Sequence, residues 1–399
     1  MKRLLLFGLL SLAVTACSDR LVTGIVDDAA MAGGQEPSNG MAAASNLTVA
    51  TVNMYFGAPV EPILDAPQEQ IPQEVATAWA IVEQTDFPAR ARALAAQLAT
   101  AKPHLIGLQE VAILRTEEVY DPTSAAETVY LDFLEILLAD LEARNVHYVP
   151  AVQIVTTDVE LPKLDSVVND VPFVSGVRLT DRDVILVRAD VPFTDPFTYY
   201  YTAFLGPSFD PSIPIPVDVL RGISAVTATV HGTDFRFVNT HLESEDRGGL
   251  FAIRNAQAYE LTQVLAATVP STQPIVVVGD FNSGPGRPVS EGESPTAYEL
   301  MLGSGYLDAW LLQPGPQLPG FTCCHAGDLS NALPMFDQRI DLVFLANMNG
   351  LGKQGATPIV QAYLLNDRQQ DLKKYGVWFS DHAATVAHIV LPNPQMAMP

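Results

Sequence analysis

At six places in this 399-residue chain an acid, an amide or a histidine follows directly on an apolar run. They are Asn53, Glu110, His241, Asp280 with Asn282, Asp341, and Asp381 with His382. The clearest is "PIVVVGDFNSGPG", in which three valines lead into Asp280 and Asn282 before the chain turns. Any one of these residues has an ordinary reading. Asp and Asn favour the turn that ends a strand, Asp341 has Arg339 nearby, and a lone histidine such as His241 suits a core. Taken jointly they need another explanation, because gathered carboxylates are costly unless something neutralises them. Oxygen-donor clusters of this kind suit a hard divalent cation such as Mg²⁺.

Residues can meet only if rigid elements bring them together. Leu47–Asn53 and His104–Glu110 read as strands, as do Asp183–Arg188, Ile223–Val230, Phe235–Thr240, Ile275–Gly279, Ile340–Leu345 and Ala384–Val390. A helical stretch is expected from Gln73 to Ala101 with a break near Pro88, and another helix from Arg254 to Ala267. Tyr130, Phe133, Leu134, Leu137, Leu138 and Leu141 recur at helical spacing, which predicts one amphipathic helix between Thr123 and Arg144. Ser294-Pro295 has the composition of a cap and first turn. Strands and helices interleave without a repeat, so the fold class is an α/β layered domain. Two segments read as insertions: the polar, acid-bearing Thr156–Thr180, and Val191–Asp218, rich in proline and aromatic residues. The second is read as a packed loop, with a substrate- or membrane-facing lip as the sharper alternative.

Composition narrows the partners. Lys and Arg number 22 against 45 Asp and Glu, a net charge of −23, so tight non-specific nucleic-acid binding is not expected. A phosphate-ester substrate stays open, because a metal can supply the missing positive charge. At the amino terminus a basic Met1-Lys-Arg3 precedes an apolar run to Ala16, too short to span a bilayer and arranged as a secretory signal. Val14-Thr-Ala-Cys17 is similar to a bacterial lipobox, which implies cleavage before Cys17 and lipidation of its thiol. The expectation is therefore a signal peptide over 1–16, a lipidated Cys17 with a flexible tether to residue 45, one domain over 46–392, and a tail over 393–399. Localisation at a bacterial cell envelope follows, with a free periplasmic or extracellular protein as the alternative, and a monomer is expected. The remaining cysteines, Cys323 and Cys324, read as free thiols or a vicinal bridge, ahead of metal ligation.

The motifs "TVN" (Asn53), "GLQEV" (Glu110), "NTHLES" (His241), "VVGDFNS" (Asp280, Asn282), "RIDLVF" (Asp341) and "SDHAATVA" (Asp381, His382) stand in one order along the chain. That order resembles the endonuclease/exonuclease/phosphatase superfamily, the deoxyribonuclease-I-like proteins, from about Leu47 to Leu391. The resemblance implies a four-layer α/β sandwich, two packed mixed β-sheets flanked by helices, in a single domain. It also implies a metal-dependent phosphoesterase that uses an activated water. Glu110 resembles the principal metal ligand, with Asn53 and Asp381 beside it, and the ion implied is Mg²⁺, or else Mn²⁺ or Ca²⁺. Asp280 resembles the group that orients and deprotonates the water, and Asn282 a hydrogen-bond partner of the phosphoryl oxygen or of that water. His382 resembles the phosphate-contacting histidine held by Asp341, and His241 a second histidine near the phosphate that could protonate the leaving oxygen.

The sequence departs from the family pattern in places. Ala384 stands where many relatives carry proline in the last motif. No acidic partner for His241 is evident; Asp181 and Asp183 are the candidates. His325, in "GFTCCHAGDLSN", reads as a surface loop histidine, and Arg254 and Gln257 as packing residues. Substrate could be nucleic acid, a phospholipid head group or a small phosphoester. The rival expectation is a non-catalytic surface lipoprotein that keeps the scaffold for binding.

Overall fold

A computed structural model describes residues 45–208, 217–246, 249–348 and 358–391. The expected signal peptide, Cys17 and its lipid, nearly all of the tether, and the C-terminal tail lie outside these residues. In chain order the first strands are β1 (Ser45–Asn53), β2 (Leu105–Gln109), β3 (Ile113–Glu117), β4 (Thr128–Asp132), β5 (Tyr148–Val168), β6 (Val171–Arg188) and β7 (Phe193–Tyr200). They are followed by β8 (Gly222–Val230), β9 (Thr233–His241), β10 (Ile275–Asp280), β11 (Leu307–Asp308), β12 (Asp341–Ala346), β13 (Ile359–Leu365) and β14 (Ala384–Leu391). The helices are α1 (Glu61–Asp65), α2 (Ile71–Thr85), α3 (Phe87–Ala101), α4 (Phe133–Glu142), α5 (Phe251–Thr268), α6 (Ala297–Gly303) and α7 (Gln369–Tyr375).

Strand pairing makes two mixed sheets. One runs β13-β14-β1-β2-β6-β3-β4 with β5 also on β6; the other runs β11-β12-β10-β9-β8-β7. Val49, Leu105 and Ile185 of the first face Phe237, Val278 and Val343 of the second across an apolar seam. On the outer side of the first sheet, Leu94 and Leu98 of α3 and Leu137 of α4 cover Ile106, Leu108 and Leu186. On the outer side of the second, Leu261 and Leu265 of α5 and Met301 of α6 cover Val238, Val277 and Phe344. The four-layer sandwich follows.

Strand period now explains where the polar residues go. Side chains alternate between faces, so Asn53 shares the inter-sheet face of Val49, His241 that of Phe237, Asp280 that of Val278, and Asp341 that of Val343. Each strand is apolar where it crosses the seam and polar where it leaves it. A buried polar layer separates the two zones: Thr51 donates to Gln109 Oε1 at 3.2 Å, and Gln109 Nε2 donates to Asn239 Oδ1 at 2.6 Å. Gly107 makes room for it, since a Cβ there would lie 2.5 Å from both Asn239 Oδ1 and Val278 Cγ2.

Four expectations are corrected. Only the second half of Thr123–Arg144 is helical. Thr128–Asp132, β-branched and aromatic, adds an edge strand to β3, and Asp132 then caps α4 by accepting from the Leu134 amide at 3.0 Å. The segment Thr156–Thr180 is no loose insertion but the body of a long β5–β6 hairpin. Its alternation was hidden by the polar outer face. Within Val191–Asp218, Phe193–Tyr200 is the edge strand β7 on β8, and Phe197 and Tyr199 pack toward the α5 core; residues 209–216 lie outside the described set. Finally, α6 is capped by Thr296 with Glu299 in a reciprocal capping box, and Ser294 and Pro295 precede it. The helix break expected near Pro88 is present: Asp86, with a left-handed backbone (φ 44°), separates α2 from α3 and caps α3.

Candidate active site

Register places three of the polar residues side by side. Asp280 at the end of β10 is the register partner of His241 on β9 and of Asp341 on β12. From the other sheet, Asn53 at the end of β1 reaches across the seam and donates to Asp280 Oδ2 at 3.1 Å and to Glu110 Oε1 at 2.9 Å. Glu110 directly follows β2 with a left-handed backbone (φ 56°), and its second oxygen accepts the Phe56 amide at 3.0 Å. All eight residues singled out in the sequence gather in this cleft at the ends of the strands, none more exposed than partly buried.

Asp280 is the hub. Its Oδ1 accepts the Asn282 amide at 2.9 Å, while Oδ2 lies 3.7 Å from His241 Nε2 and 3.8 Å from His382 Nδ1. Asn282, also left-handed (φ 46°), donates to the Leu242 carbonyl at 3.0 Å and lies 3.3 Å from His241 Nε2. Gly279 lets β10 sit this close to β9, because a Cβ would fall 2.0 Å from the Thr240 carbonyl oxygen.

The two histidines have opposite electrostatics. His382 Nδ1 lies 2.9 Å from Asp341 Oδ2, and its Nε2 lies 4.0 Å from Asp381 Oδ1. Burial would lower its pKa, but Asp341 and Asp381 outweigh burial and hold it well above the usual imidazole value, so His382 carries a proton. His241 is lowered well below that value, first by burial and then by the charge of Arg221. Arg221 Nη1 lies 2.9 Å from His241 Nδ1. Arginine has no acceptor to offer, so Nδ1 is the acceptor, and a neutral ring carries its proton on Nε2, toward Asp280.

This corrects the expected partner of His241. Asp181 and Asp183 do not contact it; Arg221, at the start of β8, stands on its Nδ1 and is held by the charges of Glu243, Asp181 and Asp183. No strand-end pattern marks Arg221 in the sequence, since it precedes its strand, and the acids that hold it, Asp181 and Asp183, lie far from it along the chain. Arg90 was also missed. It is buried in α3 and donates to the carbonyls of Met54 (2.8 Å), Tyr55 (3.1 Å) and Phe379 (2.9 Å), tying the loops that carry Asn53 and Asp381. Arg339 pairs with Asp308 at 2.7 Å rather than with Asp341.

The loop around Cys323 frames the far wall. Thr322 accepts the Ala383 amide at 2.7 Å and the His325 amide donates to the Asp381 carbonyl at 2.8 Å, so this loop fixes Asp381 and His382 on both sides. Cys323 and Cys324 are bonded to each other. His325 is buried, not at the surface: its ring stacks between Phe336 and Trp378 at 4.1 and 4.2 Å. Arg254 and Gln257 are packing residues in the structure. Gln257 accepts the Glu243 amide at 2.8 Å, and Arg254 donates to Glu293 at 2.8 Å, fixing the loop after His241.

The donor set fits a divalent cation. Burial and the charge of Asp381 push Glu110 up to about 8, and burial raises Asp381 as well, which marks an excess of acid in the cleft. Arg90 is committed to carbonyls, and Asp341 Oδ1 is buried without a hydrogen-bond partner. Oxygen-rich and negative, the cleft has the chemistry of a Mg²⁺- or Ca²⁺-type site.

The model of the endonuclease/exonuclease/phosphatase family matches residues 50–382. The chain belongs to this family. Its members are phosphoester hydrolases, generally dependent on a divalent metal. Among solved structures, a family member from Bacteroides thetaiotaomicron is 14% identical with TM-score 0.50, over 88% of this chain and 100% of that one. That likeness shows the fold. A family member from Beutenbergia cavernae is 18% identical with TM-score 0.48, over 87% of this chain and 72% of that one. A mannosyl-6-phosphatase from Bacteroides thetaiotaomicron is 15% identical with TM-score 0.46, over 86% of this chain and 99% of that one. Among curated proteins none matches significantly.

Proposed function

We propose that this family member is a Mg²⁺-dependent phosphoesterase that cleaves by in-line attack of water. One observation carries the reading: Asn53 from one sheet bridges Glu110 and Asp280, joining the acid expected to hold metal to the acid expected to activate water. Glu110, Asp381 and the side-chain amide of Asn53 would hold the cation, which would supply charge neutralisation at the phosphoryl group. Asp280 orients the water and takes its proton, its own position fixed by Asn53 and the Asn282 amide. The Asn282 side chain and the neutral His241 Nε2–H hydrogen-bond phosphoryl oxygens. His382, protonated and backed by Asp341, is the better proton donor to the departing oxygen, because a neutral His241 would have to become an anion to give its proton away. Envelope anchoring through a lipidated Cys17 remains part of the proposal and rests on residues 1–17 alone.

The test is hydrolysis of bis-p-nitrophenyl phosphate by the purified protein with Mg²⁺, then with EDTA, and by Asp280→Asn. Turnover should require the metal and fall by roughly 10²–10⁴ in the variant, the usual scale for losing a general base. Absence of turnover with Mg²⁺, Mn²⁺ or Ca²⁺, or an unchanged rate in the variant, would discard the reading.

A further inference from the structure

Beside the cleft lies a cavity of about 200 Å³ with largely apolar walls. Two amphipathic elements build it. On the β5–β6 hairpin, Val159 stands opposite Leu179 and Leu161 opposite Val177, all on the face turned into the cavity. On α2, Val75, Ala78, Trp79 and Val82 form a helical stripe facing the same space. A two-residue and a 3.6-residue period thus aim apolar faces at one volume that the side chains of the described residues leave open. It is comparable to the engineered apolar cavity of ~150 Å³ that takes up benzene.

At its polar end the cavity adjoins the catalytic cleft through shared wall residues. There the next hairpin pair is Thr157 opposite Asp181, followed by Arg221 and Glu243. Arg221 is the residue on His241 Nδ1, and Phe56, another wall residue, gives its amide to Glu110. One wall is therefore shared with the phosphate-side histidine and another with the expected metal ligand. A base or a sugar would need several convergent hydrogen-bonding groups, and the hairpin and helix walls are mostly aliphatic, with Trp79 the aromatic side chain on the helix.

We infer that this cavity receives the aliphatic chain of the substrate, so that the enzyme acts on phosphoesters of amphiphiles, with the chain in the cavity and the phosphate among Glu110, His241, Asp280 and His382. This rests on the phosphoesterase reading and names its substrate class.

The experiment is a series of p-nitrophenyl alkyl phosphates from methyl to octyl, with Mg²⁺, below their micelle-forming concentrations so that no aggregate surface contributes. kcat/KM should rise with each methylene, by up to about fourfold per group, until the cavity is full. In Leu161→Glu, and separately in Trp79→Arg on the facing wall, the octyl-to-methyl ratio should fall at least tenfold; a ratio is insensitive to the fraction of folded protein. A flat series in an enzyme that hydrolyses the methyl ester overturns the cavity assignment and leaves the phosphoesterase reading standing. Failure to hydrolyse any ester of the series overturns both.

Discussion

At the scale of single residues, the cleft separates two histidines by the partner each ring meets. Both follow a strand or precede one in a motif with a polar neighbour, and only their partners differ: a carboxylate for His382, a guanidinium for His241. The partner decides which ring holds a proton. Asp341→Asn removes the charge that raises His382, so its pKa should fall, and the alkaline limb of the pH–rate profile should move to lower pH. We expect kcat to drop by roughly 10²–10⁴ near neutral pH, with part of the loss recovered at lower pH, as read from kcat/KM between pH 5 and 9. An unshifted alkaline limb would detach Asp341 from the proton on His382.

Among the elements, close approach of β10 to β9 is the decisive fit. Gly279→Ala sets a Cβ 2.0 Å from the Thr240 carbonyl oxygen, backbone that cannot swing away, so strand spacing must change beside Asp280. The expected cost is about 1–3 kcal/mol in urea unfolding, together with a rate loss, since small displacements of a positioned base are expensive. A variant with normal stability and rate would show that the strands tolerate wider spacing. The Cys323 loop supplies a second case. His325 is lowered to about 4, chiefly by burial, so the folded loop keeps it neutral while the unfolded chain protonates near 6.5. Stability is then present above pH 6.5 and lost as pH falls toward 4, a loss on the order of 1–2 kcal/mol once solvent screening is discounted. Unfolding midpoints between pH 4 and 7 should show it in the wild type and not in His325→Phe, which keeps a ring between Phe336 and Trp378.

For the whole molecule, the acid gathered in one cleft should couple folding to metal and pH. Glu110 has a folded pKa of about 8 against an ordinary 4.5, so without metal its contribution is present below pH 4.5 and lost as pH rises through 8. A cation bound there would favour the carboxylate, and its stabilisation should therefore grow over the same window. The melting temperature in Mg²⁺ minus that in EDTA should increase from pH 5 to pH 8, and the increase should shrink in Glu110→Gln. An increase unchanged in Glu110→Gln would place the ion elsewhere, and equal melting temperatures at pH 8 would mean that no ion binds the folded chain. With a net charge of −23 the chain also repels itself more at high pH, which makes the variant the necessary control. The sequence by itself determined the interleaved strands and helices and the order of the strand-end motifs, because these depend on local period and apolar runs. It misread Thr123–Arg144 and Thr156–Thr180, where an edge strand and a hairpin owe their shape to partners far along the chain. The guanidinium on His241, the bracing by Arg90 and the cavity between hairpin and helix were decided by tertiary structure alone. Each is a meeting of side chains from elements distant in sequence, and register across strands, not spacing along them, sets which groups meet.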